Sequence, residues 1–280
     1  MSIKHYGQIL IISAATAALF TSCAKSDEEL AAEYYTKAET AYNAGHENAA
    51  LLYIDTIHSA FPKVISVRRM ADTLTWRIEL EQMERSLPYL DSLMSARQAQ
   101  VPEATKNFTF VKDERYQDIG EFEHRTLRTE NNTGRCYLKP HTNERGDFLL
   151  TSYYVGTQAS HSIIKVSIGD VYKETLPAEP SDINSYTDLG QFHETIILPT
   201  EKLNGIPQFI AENSGEKIRI TLEGEKGGSY SYYLNKTEKA IFLDTYRLSA
   251  LLSEINGLNS QYNKASKKAS YLKSKLDIRP

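Results

Sequence analysis

A chain of 280 residues with formal net charge -4, 41% hydrophobic and 24% charged residues is composed as a globular protein, long enough for one large or two ordinary domains. Its mildly acidic balance, with no aromatic-plus-basic array, gives nucleic acid no footing. Two cysteines exclude a disulfide framework.

The chain opens with a basic start at Lys4, an apolar run over 9–20 and the small residues Thr21 and Ser22 before Cys23. That is the signature of a secretory signal peptide, and the run is too short to span a bilayer, which takes roughly 20 apolar residues. With Leu19, Phe20, Thr21 and Ser22 leading into Cys23, the segment resembles the lipobox of bacterial lipoproteins. The resemblance implies cleavage after residue 22, acylation of Cys23 with palmitate-type chains, and a membrane anchor. Removing residues 1–22 takes away Lys4 and leaves a net charge of -5. The following Ala24-Lys25-Ser26-Asp27-Glu28-Glu29 resembles the export signal of Bacteroidota lipoproteins that reach the outer face of the outer membrane. It also reads as a helix start, Ser26 as N-cap and carboxylates in the first turn. The expected location is the cell envelope, lipid-anchored at the outer membrane, cell surface and periplasmic face both open.

Residues 27–61 read as two helices around Gly45, closed by Pro62. With Tyr34, Ala38, Ala50, Ile54, Ile57 and Pro62 at its characteristic positions, the pair resembles one tetratricopeptide repeat and the helical-repeat lipoproteins of outer-membrane assembly machinery. No second repeat follows, so the pair needs another surface to bury its face. From Ile65 to about Gln100 one long helix is expected. Trp76, Leu80, Met83, Leu87, Leu90 and Met94 form a coiled-coil seam, and Val67, Ala71, Leu74 and Ile78 form a second stripe facing the helix pair. Pro88 predicts a kink, or a restart with Ser86 as N-cap.

Residues 105–236 change to alternation and aromatics. Strand signals fall at 108–111, 120–127, 135–138, 147–155, 162–168, 191–197, 217–222 and 229–234, with a short helix near 207–213. They predict an antiparallel sandwich or barrel. His124, His141, His161 and His193 lie here without metal-ligand spacing, and no nucleophile or phosphate-loop motif is present. Glu121 and Glu123 fall on one strand face and His124 on the other. No enzyme, no metal and no cofactor are expected. Tyrosine is abundant at 18 residues, and Tyr153, Tyr154, Tyr230, Tyr232 and Tyr233 are the candidate ligand-facing aromatics. Cys136 between Arg135 and Tyr137 reads as a buried, inert thiol.

Ile241, Leu248, Leu251, Ile255, Leu258, Tyr262, Ala265, Ala269, Leu272 and Leu276 make a heptad seam about 54 Å long at 1.5 Å per residue. It matches the first long helix and predicts an antiparallel stalk, or alternatively a parallel coiled-coil dimer with a second copy. Asp55-Thr56-Ile57, Asp72-Thr73-Leu74 and Asp91-Ser92-Leu93 resemble the O-glycosylation sequon of Bacteroidota, implying modification at Thr56, Thr73 and Ser92.

The expected organisation is α+β: signal peptide 1–22, helical base and first stalk helix 23–101, inserted β domain 102–238, and last stalk helix 239–280. The expected function is a lipoprotein presenting the β domain for protein or glycan binding. The alternatives are an envelope-assembly scaffold working through the helix pair, and a hydrolase in the β domain.

Overall fold

The computed structural model describes residues 25–157, 160–224 and 228–277. The segment read as a signal peptide, residues 1–22, and Cys23 lie outside these residues. The chain forms two compact units, Met1–Glu81 with Leu272–Pro280, and Gln82–Tyr271.

In the first unit Ser26 caps α1 (Asp27–Asn43). Its hydroxyl accepts from Glu29 N, and the Glu29 carboxylate accepts from Ser26 N. This reciprocal box satisfies two amide donors that the helix itself cannot, a stabilisation of about 1 kcal/mol. Gly45, at φ +77°, turns the chain into α2 (Glu47–Ala60). Such a left-handed turn costs glycine nothing and most other residues 1–2 kcal/mol, roughly. Ala31 and Ala38 of α1, with Ala50, Ile54 and Ile57 of α2, are buried in one cluster. Val67, Ala71, Leu74 and Ile78 of α3 (Ile65–Gln98) belong to the same cluster. Small side chains at the contacts let helix backbones approach, while Ile57 and Ile78, both at 0% exposure, fill the volume.

Helix α3 runs to Gln98 without a break at Pro88. Of the two alternatives expected at Pro88, a kink or a restart, the restart does not occur: the Ser86 hydroxyl donates to the Met83 carbonyl at 2.9 Å instead of capping a new helix.

The second unit carries α4 (Val101–Ala104) and ten strands: β1 (Phe108–Val111), β2 (Glu121–His124), β3 (Tyr137–Asn143), β4 (Phe148–Gly156), β5 (His161–Ile168), β6 (Val171–Glu174), β7 (Ile183–Asp188), β8 (Gln191–Leu198), β9 (Arg219–Gly224) and β10 (Ser229–Tyr233). Helix α5 (Ile206–Glu212) precedes β9, and α6 (Lys236–Lys275) follows β10. The strands form two antiparallel sheets, ordered β1-β2-β3-β4-β8-β7 and β10-β9-β5-β6. Among the described residues neither sheet closes into a barrel, which corrects one of the two expected architectures. Closure would require an edge strand to find a partner, and each sheet ends instead on short strands.

Alternation along the strands builds the core. Leu138, Leu150, Tyr154, Ile196 and Leu198 of the larger sheet meet Ile164, Val166, Ile220 and Leu222 of the smaller one. Ile206 and Ile210 of α5 and Phe242 of α6 complete it. The start of α6 is buried on several sides. Ile241 joins Leu127 and Tyr137, while Leu248 and Leu252 pack with Phe108. Ile241 and Leu248, expected as seam residues of a stalk, therefore lie among β-domain side chains. A wide apolar stripe reaches more than one neighbour, and here Phe108 of β1, Tyr137 of β3 and Leu127 after β2 take it.

Strands β6 and β7 carried no recognised signal. Their residues are mostly exposed, so no apolar alternation marks them.

Candidate ligand cavity on the larger sheet

The side chains of β4 alternate between two environments. Leu150, Ser152 and Tyr154 face the core, so Thr151, Tyr153 and Val155 face the opposite side. Register then sets their neighbours: Tyr137 and Thr195 flank Tyr153, while His193 flanks Val155 and is itself paired with Tyr186. Two flat ring pairs result. Tyr137 and Tyr153 stack with centroids 4.6 Å apart and planes at 6°, and Tyr186 and His193 stack at 4.8 Å and 2°. All four rings line one cavity of about 60 Å³, together with Thr129, Asn132, Thr133, Arg135, Tyr154, Val155, Glu194 and Thr195.

The electrostatics of this cavity are nearly balanced. The Arg135 guanidinium lies over the Tyr137 ring at 5.0 Å and donates to Glu238 at 2.6 Å and to Asn132 at 2.8 Å. Its charge is thus compensated before any ligand arrives. The Tyr153 hydroxyl lies 3.2 Å from Thr129 Oγ1. The Tyr137 hydroxyl, in a residue only 1% exposed, makes no well-aligned hydrogen bond, although the Thr129 and Tyr153 hydroxyls stand close by. Burial pushes this phenol far above its ordinary range, so it stays a proton donor at any physiological pH.

Of the five tyrosines singled out from sequence, Tyr153 and Tyr154 line the cavity. Tyr154 is otherwise buried in the core, with its hydroxyl donating to Thr157 O at 2.7 Å. Tyr230 and Tyr232 stand on edge strand β10. Tyr230 packs edge-on against Tyr154 at 5.6 Å, and Tyr232 packs against the core with a buried hydroxyl that has no partner. Tyr233 points the other way, exposed, with Lys217 over its ring at 4.2 Å. The five do not form one platform. Tyr137, Tyr186 and His193 complete the site and were not anticipated, because pairing across strands is invisible in a linear sequence.

Consecutive hydroxyls on β4 enter two imidazole relays on opposite faces. Ser152 Oγ lies 3.0 Å from His161 Nε2, and His161 Nδ1 bonds Glu194, which also accepts from His161 N at 2.9 Å. Thr151 Oγ1 lies 3.0 Å from His141 Nε2, and His141 Nδ1 lies 2.7 Å from Glu121. Hydroxyl, imidazole and carboxylate in this order are the parts of a hydrolytic triad. Here Ser152, His161 and Glu194 are 0, 0 and 4% exposed, and Thr151 is 3% exposed. A buried hydroxyl offers no approach to a substrate carbonyl. The first relay instead ties β4 and β8 of one sheet to β5 of the other, with every buried polar atom satisfied. Glu123 bonds Lys139 at 2.8 Å on the face it shares with Glu121, and His124 packs edge-on to Phe108.

A second cavity, of about 310 Å³, lies among Gly146, Phe148, Leu203, Pro207, Tyr246 and Ser249. Its Thr200 and Ser249 hydroxyls already donate to Phe148 O and Gly146 O, so neither awaits a ligand. Cys136 is half-buried, its sulfur 3.4 Å from both Val155 N and Val155 O. Among the described residues no group of His, Cys, Asp and Glu is placed to hold a metal. The sequon residues Thr56, Thr73 and Ser92 all lie within helices. The Thr56 and Thr73 hydroxyls donate to Leu52 O and Arg69 O. No described helix is long and apolar enough to cross a membrane. Comparison with known protein families, curated proteins and solved structures returns no match.

Proposed function

We propose that this chain is an outer-membrane lipoprotein, held by lipid on Cys23, whose β-sandwich binds a protein or glycan rather than catalysing a reaction. The observation that carries the binding role is a cavity lined by two stacked ring pairs, Tyr137 on Tyr153 and Tyr186 on His193. Flat aromatic faces beside a cavity offer apolar surface to a ligand ring or side chain. The lipobox-like segment ending at Cys23 supports the anchor.

A stalk of α3 and α6 belongs to the same proposal. One contact inside each unit supports it: Lys275 over Trp76 at 5.8 Å, and Arg97 to Glu254 at 2.8 Å. These contacts are 21 residues apart along both helices and run in opposite directions, as antiparallel pairing requires.

The anchor is tested by fractionating cells expressing the parent and Cys23→Ala. The parent is expected in the membrane fraction and the variant in the soluble fraction; equal partition sinks the anchor. Protease treatment of intact cells then separates the cell surface from the periplasmic face. Binding is tested by glycan-array screening and pull-down with the full chain and with Tyr153→Ala, which should lose the ligand. Mass measurement of the mature chain decides whether Thr56, Thr73 and Ser92 carry glycans.

The scaffold reading has its own support in unit 1. Leu52, Ile65 and Met70 are 66, 54 and 48% exposed, and such apolar side chains are available to a protein partner. A partner that is retained by Tyr153→Ala but lost by Leu52→Glu would favour it.

A further inference from the structure

We infer that the open edge of β7 pairs with β7 of a second copy of this chain, antiparallel about a two-fold axis at Tyr186, so that two six-stranded sheets join into one. This goes beyond the binding role of the β domain and does not rest on what the cavity takes up.

The edge comes first. Of the four strands that end the two sheets, β1 and β6 have four residues, β10 has five and β7 has six. Edges are commonly blunted by short strands, Lys, Pro or bulges. Strand β7 has no Lys, no Pro and an unbroken register against β8, and Asn184 to Asp188 are all exposed. The hairpin closes with Asp188 opposite Gln191 across a two-residue turn, so Asp188, Tyr186 and Asn184 direct their main-chain groups to β8. Ser185 and Thr187 direct theirs outward, where nothing bonds them among the described residues. Such an edge is a template for a further strand.

The open ring face comes second. Tyr186 lies flat on His193 at 4.8 Å and 2°, yet the residue is 55% exposed. That separation matches the spacing of neighbouring strands, about 4.7–4.9 Å. The stack therefore runs across the sheet, and the free face of Tyr186 looks toward the place of the next strand. A second flat ring fits there at the same pitch, as Tyr153 fits Tyr137 inside the sheet.

Register comes third, and it selects the partner. A two-fold axis at Tyr186 sets Tyr186 against the partner's Tyr186, Ser185 against the partner's Thr187, and Asn184 against the partner's Asp188. Ring meets ring, outward main-chain groups meet reciprocally, and an amide donor faces a carboxylate at both ends. One step further, Leu189, 97% exposed at the hairpin tip, comes beside the partner's Ile183. Moving the axis to Ser185 or Thr187 sets Tyr186 against the partner's Asn184 or the partner's Asp188, and every one of these matches is lost.

The test is disulfide trapping in cells expressing the full chain, read on non-reducing gels after mild oxidation. Residues opposed at Tyr186 belong to a pair without main-chain bonds between them, with Cα atoms about 4.5 Å apart, which a disulfide spans. Tyr186→Cys is expected to link to itself across the axis. Asn184→Cys alone should not, because its own copy lies about 13 Å away along the partner strand. Asn184→Cys combined with Asp188→Cys should link, and the parent, whose Cys136 is half-buried, should not. Ser185→Pro in the Tyr186→Cys background removes an outward N–H from both copies and leaves the bonds to β8, so trapping should fall at least about tenfold. The Cys variants change only exposed side chains and decide the matter if Ser185→Pro does not fold. Absence of a dimer from both Tyr186→Cys and the double Cys variant overturns the inference, as does Asn184→Cys linking as readily as Tyr186→Cys. Undiminished trapping in a folded Ser185→Pro chain overturns it too. A linked species with the mass of this chain plus a different protein would give the edge to a foreign strand and overturn it as well.

Discussion

The Tyr137 ring lies flat on Tyr153, 4.6 Å away, while its own hydroxyl makes no well-aligned hydrogen bond. The ring and the oxygen therefore act in opposite directions. Stacking and burial hold the strand pair together, whereas the desolvated O–H costs free energy in the unliganded protein. Tyr137→Phe keeps the first and removes the second, so it should raise stability by about 1 kcal/mol. Tyr137→Ala removes both and should lower it by about 3–5 kcal/mol. Urea unfolding of the two variants checks the pair. A Phe variant less stable than the parent would mean that the hydroxyl is satisfied after all.

The Ser152–His161–Glu194 relay predicts unequal costs for its members. Glu194 serves both His161 N and His161 Nδ1, so Glu194→Ala strands two buried groups and should cost about 3–5 kcal/mol. Ser152→Ala removes one hydrogen bond to a ring nitrogen and should cost about 1–2 kcal/mol. Denaturant midpoints measured at constant m-value separate the two. Similar losses would show that the carboxylate is not the group joining the sheets.

Acid sensitivity should come in two windows. Burial lowers the His124 pKa below 6.5, with a smaller contribution from Arg125, against the attraction of Asp244. The unfolded chain then binds the extra proton first, so stability falls as pH drops below 6.5. The Glu121 pKa is held below 4.5, chiefly by its hydrogen bond to His141. That stabilisation is present above 4.5 and is lost as pH falls through the folded value. His124→Phe should flatten the upper window alone, and Glu121→Gln the lower alone, in thermal melts taken across pH. A His124→Phe profile parallel to the parent through the upper window would remove the first assignment.

What the sequence revealed followed periodicity. Ser26 at the N-cap, Gly45 in the turn and the Val67, Ala71, Leu74 and Ile78 stripe were legible because each is a local rule. Strand β7 was not. Its side chains are exposed, and its hairpin turns through Leu189 and Gly190, both at positive φ, without the usual Asn-Gly or Asp-Gly. Losing β7 hid Tyr186, and with it one of the two stacked ring pairs. The relays were hidden for a different reason: Ser152, His161 and Glu194 come from three strands in two sheets. Tyr230 and Tyr232 stand on β10, away from this cavity, and abundance of tyrosine says nothing about which ring faces the core.

Gly146 offers the sharpest stability test of how α6 meets the sheet. The β3–β4 turn brings Gly146 to φ +85°, and its carbonyl accepts from the Ser249 hydroxyl of α6 at 2.7 Å. A Cβ at this position would fall 2.2 Å from Ser253 N and 2.6 Å from Ser249 O, both backbone atoms of the helix. Backbone cannot rotate away as a flexible side chain can, so the turn and the helix would have to separate. Gly146→Ala should therefore cost about 3 kcal/mol, from the left-handed backbone and the lost contact together. Ser249→Ala removes only the hydrogen bond and should cost about 1 kcal/mol. The double variant should fall short of the sum, because a helix already displaced by the added methyl group no longer reaches the carbonyl of the turn. Urea unfolding of the two single variants and the double variant measures this coupling. Strict additivity would show that α6 stays in place when the turn is altered.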